Sequence, residues 1–78
     1  MSNKYDDSMI FYAFRYALWR MTYAVYDVTS HIIQHKHELH EDTKNRMCKE
    51  IRHAIRTGNA GMSDHVREWE KVLGVLSE

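Results

Sequence analysis

The chain has 78 residues, with eleven Lys and Arg against eleven Asp and Glu, one cysteine, three glycines and no proline. A chain this short builds one core that withdraws only about 60% of its unfolded surface from water, which excludes two domains and favours added support from a partner or a second copy. The formal charge of zero argues against a strongly cationic nucleic-acid clamp and equally against an acidic imitation of DNA, and Cys48, the lone cysteine, has no intrachain disulfide partner.

Residues 1–7 are expected to be flexible. They lack the basic start and apolar run of a signal peptide, and no segment approaches the roughly 20 consecutive apolar residues of a membrane span, so no membrane role is expected. From residue 9 to 38 there is no glycine or proline, and the spacing predicts one long helix, with Ser8 as its N-cap after Asp6 and Asp7. Phe11, Leu18, Val25 and Ile32 recur every seven residues, with Phe14, Met21 and Val28 three further on, which is an a/d stripe held over three heptads. A second stripe, Tyr12, Tyr16, Trp19, Tyr23 and Tyr26, runs roughly opposite the first. Both stripes keep phase through Arg20 to Thr22, which favours one long, kinked helix over two short ones started by Thr22 as a new N-cap. Ala13, Ala17 and Ala24 line a remaining face beside Arg20 and Asp27.

A second helix is predicted over residues 42–57, burying Met47, Cys48, Ile51, Ala54 and Ile55 and ending where Gly58 takes the left-handed conformation. A loop containing Asn59 and Gly61 leads to a third helix over 64–76, capped by Ser63 and burying Val66, Trp69, Val72, Leu73 and Leu76. No run alternates as a strand does, so the expected fold is all-α, a three-helix domain spanning residues 1–78.

Of the six histidines, His31, His35, His37 and His40 fall within ten residues. His31 and His35, one turn apart, offer two metal ligands, but a site needs three or four, and His37-Glu38-Leu39-His40 is one residue short of an HExxH spacing, so no metal and no cofactor are expected. Glu50 and His53 supply one Glu-x-x-His pair where a di-iron bundle needs two. Asp27 and His31 form a base with an orienting carboxylate but lack a nucleophile, and Cys48 reads as a small buried hydrophobe, so no enzyme is expected.

Two surfaces are candidates for binding. Arg46, Lys49, His53 and Arg56, spaced three, four and three, form a basic stripe with Arg52 beside it, suited to phosphates if not neutralised by pairs such as Asp42 with Arg46. The acidic residues Asp64, Glu68 and Glu70 on the next helix disfavour a helix-turn-helix, making nucleic acid the alternative partner. The aromatic stripe is the preferred surface. Some of its rings must join the core, yet five large rings beside a separate aliphatic stripe exceed what two short helices cover, and Tyr, Trp and Arg are the residues of interface hot spots. Tyr12, Tyr16, Trp19, Tyr23 and Tyr26 are the expected anchors, with Arg15 and Arg20 at the edge, for a foreign protein or, in a homodimer, a second copy.

The run from Phe14 to Val25 (FRYALWRMTYAV), together with Gly61-Met62-Ser63-Asp64 and Glu68-Trp69-Glu70-Lys71-Val72-Leu73, resembles small bacteriophage accessory proteins. These carry an arginine-tyrosine-alanine-leucine-glycine-arginine segment, then threonine-tyrosine, and end in a glutamate-tryptophan helix. Trp19 stands where they have glycine, and Tyr26 is an added aromatic. The resemblance implies a phage protein in the host cytoplasm that binds and blocks a host or defence protein, CRISPR nucleases among them.

Overall fold

The computed structural model describes residues 7–20, 25–61 and 63–77, and the fold there is all-helical. Among the described residues four α-helices follow one another: α1 (Asp7–Arg20), α2 (Val25–Gln34), α3 (Glu41–Arg56) and α4 (Ser63–Leu76), with a short 3-10 turn (Lys36–Glu38) before α3. None of these helices is long and apolar enough to cross a membrane.

The single helix expected over residues 9–38 is replaced by α1 and α2, which pack against each other. Ile10 and Ala13 of α1 meet Asp27 and Val28 of α2 across one groove, whereas in a continuous helix Ile10 and Val28 would stand about 27 Å apart at 1.5 Å per residue. The proposed new cap, Thr22, the stripe residues Met21 and Tyr23, and Ala24 of the remaining face lie outside the described residues. The a/d stripe nevertheless marks the core: Phe14, Leu18, Val25, Val28 and Ile32 are all buried. Periodicity reports which face each segment buries, and two helices that share a core keep the same phase as one.

Each of α2 and α3 packs on both α1 and α4, so α1 and α4 stand at opposite corners of a square. The centre is the Phe14–Trp69 contact between those corners, edge to face at 5.6 Å. Met47, Cys48, Ile51 and Ala54 line the core from α3 as expected, with Ile55 at its margin, while Val72 and Leu76 flank Trp69 on α4.

The ends of α3 are fixed in two different ways. At its C-terminus Asn59 N–H donates to the Ala54 carbonyl at 2.8 Å and Gly58 N–H to that of Ile55 at 3.1 Å, a Schellman closure that places Gly58 at φ +77° and seats Ala60 in the core. At its N-terminus the His40 side chain makes no cap. The carboxylate of Asp7, expected in a flexible leader, is instead in the first turn of α1 and accepts from His40 N–H at 2.7 Å and from the His40 ring Nδ1 at 2.8 Å. Burial alone would raise the pKa of Asp7. The His40 backbone N–H, the Thr43 hydroxyl and the His40 imidazole outweigh it and hold the carboxyl below its usual value.

Gly74 sits in the last turns of α4, where an added Cβ meets nothing within 4 Å. Gly74→Ala is expected to stabilise the chain by about 0.5 kcal/mol, because it removes backbone freedom from the unfolded state at no steric cost. A melting temperature at or below that of the parent would contradict this.

Candidate functional site

Helix α1 turns Ile10, Phe14, Ala17 and Leu18 inward, and the same pitch turns Tyr12 and Tyr16, one turn apart, to solvent. Tyr12 is 75% exposed and Tyr16 52%, with Met9 extending the row at 72%. The Arg20 guanidinium lies 5.9 Å from the centre of the Tyr16 ring, within cation–π reach. Tyr12, Arg15, Tyr16, Trp19 and Arg20 thus surround one shallow depression.

The two stripes expected to be separate meet at Arg15 and Trp19. These two residues form one wall of a groove of about 580 Å³, and Arg46, Lys49, His53 and Arg56 of α3 form the other. Its floor is held by Glu50, whose carboxylate accepts from the Trp19 indole Nε1 at 2.8 Å and lies 3.8 Å from Arg15 Nε. The Trp19 ring is tilted towards His53, with centroids 6.1 Å apart. Arg46 does not pair with Asp42; its guanidinium lies over Phe11 at 4.6 Å. Lys49 and Arg56 form no ion pair among the described residues. The groove therefore concentrates cations against one carboxylate that already has two partners.

Other candidate residues are placed elsewhere. Arg52 is exposed on α3 but does not line the groove, Tyr23 is outside the described residues, and Tyr26 faces α4, where its ring meets His65 edge to face at 5.8 Å. Among the described members of the expected aromatic stripe, Tyr12, Tyr16 and Trp19 are gathered on one face and Tyr26 is not. Glu50 is a site residue that the sequence did not single out for binding. The signal for Glu50 was the indole N–H of Trp19, a donor that needs an acceptor once half-buried.

The His31 and His35 rings lie 4.3 Å apart, tilted by 39°, and His35 Nδ1 is 2.6 Å from the Glu38 carboxylate. Among the described residues no three His, Cys, Asp or Glu side chains are grouped to hold a metal ion. Asp27 and His31 border an apolar groove with Met9, Ile10, Ala13 and Val28, which carries no hydroxyl or thiol nucleophile among the described residues. Cys48 is buried in the core.

Compared with known protein families, with curated proteins and with solved structures, the chain matches none.

Proposed function

We propose that the chain is a protein-binding module whose contact surface is the outer face of α1, centred on Tyr12 and Tyr16 and edged by Arg15, Trp19 and Arg20. The observation that carries this reading is the exposure of two tyrosines one turn apart on a helix whose other face supplies the centre of the core. Exposed tyrosine, arginine and methionine on one rigid element are the composition of an interface core, where a buried aromatic anchor contributes about 2 kcal/mol or more. On the resemblance to phage accessory proteins, the partner is a host or defence protein such as a CRISPR nuclease, bound and blocked stoichiometrically in the host cytoplasm. Nothing in this mechanism calls for catalysis or a cofactor.

The test is affinity capture from a lysate of the host, comparing the parent chain with the Tyr12→Ser, Tyr16→Ser double variant. The double variant is expected to keep its helical circular dichroism and to lose at least about 90% of one captured protein. Equal capture by both proteins would defeat the reading, and so would loss of helicity in the variant. Recovery of the bait alone, with a dimer in sedimentation equilibrium that the double variant abolishes, would replace a foreign partner by a second copy. The nucleic-acid alternative draws on the clustering of Arg46, Lys49 and Arg56, and it requires captured nucleic acid that salt removes steeply.

A further inference from the structure

We infer that the groove between α1 and α3 receives an acidic segment of the partner protein, so that carboxylates enter beside Lys49 and Arg56 while aromatic contacts form on α1. This rests on the protein-binding reading and adds the chemistry of the partner. Three observations carry it. First, the groove has an excess of positive charge: Arg15, Arg46, Lys49 and Arg56 line it, and the only carboxylate lining it among the described residues, Glu50, is already engaged by Trp19 and Arg15. Unpaired cations held close together in a concave site repel one another, and an incoming anion relieves that repulsion. Second, the groove is continuous with the exposed aromatic face, because Arg15 and Trp19 belong to both. One partner segment crossing from α1 to α3 meets both surfaces.

Third, the size and charge fit a peptide better than a nucleic-acid strand. A volume of about 580 Å³ accommodates a few side chains, whereas single-strand binding surfaces track roughly 4–16 nucleotides with cations throughout. Outside the groove the chain is net acidic, with seven Lys and Arg against ten Asp and Glu, and α4 presents Asp64 and Glu70 to solvent. A polyphosphate leaving the groove would meet no continuing basic track of the kind that supports nucleic-acid affinity.

The test is titration of the full chain into fluorescein-labelled octaglutamate at low ionic strength, followed by anisotropy, with dodecathymidylate as the competing probe. Octaglutamate is expected to bind, and the Lys49→Glu, Arg56→Glu double variant to weaken it at least about tenfold. Glu50→Gln is expected to act in the opposite sense. It removes the carboxylate that competes with the incoming anion, keeps an amide oxygen for the Trp19 indole, and should tighten octaglutamate about threefold or more. Binding that ignores the charge reversal, or no binding at all, overturns the inference, as does stronger binding of dodecathymidylate sensitive to the same reversal. If the groove fails in this way while capture still depends on Tyr12 and Tyr16, the acidic segment is lost and the aromatic interface stands.

Discussion

Trp69→Ala is expected to cost about 3–5 kcal/mol, the range for deleting a buried indole. A chain of this size has roughly 4–12 kcal/mol of total stability, so the variant should lose from about a quarter to all of it. The side chain is fully buried and closes the centre of the square from α4, edge to face with Phe14 of the opposite corner. Neither α2 nor α3 can collapse into that space without leaving the other, since each packs on both α1 and α4. Trp69→Phe should behave differently. The indole N–H is buried with no acceptor among the described residues, and phenylalanine removes that unsatisfied donor while keeping a ring against Phe14. Its net cost is expected to be about 1–2 kcal/mol, because the relief of an unpaired polar group offsets part of the lost volume. Urea unfolding of the two variants checks both values, and equal losses would show that the N–H has a role in holding the ring.

Asp7→Ala is expected to cost about 2 kcal/mol at pH 7, through the two hydrogen bonds that its buried carboxylate accepts from His40. The dependence on pH has a definite sign. A carboxyl whose pKa is depressed in the folded state stabilises that state fully above its unfolded pKa, near 4, and loses the contribution as pH falls through the lower folded value. The difference between parent and variant should therefore be constant from pH 7 to about pH 5 and shrink below about pH 4. Comparing the two chains at each pH cancels the carboxylates they share. His40→Ala keeps the backbone N–H bond and loses the ring bond, so it should cost less than Asp7→Ala. A parent-to-variant difference that persists undiminished at pH 2 would mean that Asp7 acts by packing and not by charge.

Most residues of the core were legible in the sequence, though not Ile10, Ala17, Leu39 and Ala60, and its topology was only partly so. Phe14, Leu18, Val25, Val28 and Ile32 announce their burial by spacing alone, and Gly58 announces the end of α3. The separation of α1 from α2 was not legible, because residues 21–24 contain neither glycine nor proline and the stripe keeps its phase across them. Asp7 was unreadable for a different reason: its partners are 33 residues away, and a sequence pattern shows neighbours one or two turns apart at most. The proposed binding surface divides along the same line. Helical pitch correctly sent Tyr12 and Tyr16 to one face and the basic row of α3 to another. Only the packing of α1 on α3 shows that the two faces share Trp19 and Arg15 and that Glu50 stands between them.

Helix α1 also separates two kinds of selection by geometry. Positions 10, 14, 17 and 18 are constrained by the core, whereas positions 12, 15 and 16 face away from it on the same rigid rod. A lineage under pressure from a changing partner can therefore rewrite the outward letters of this helix one at a time without approaching the limit of its folding stability. Related chains should diverge most at those outward positions, with the inward ones held to side chains of similar volume.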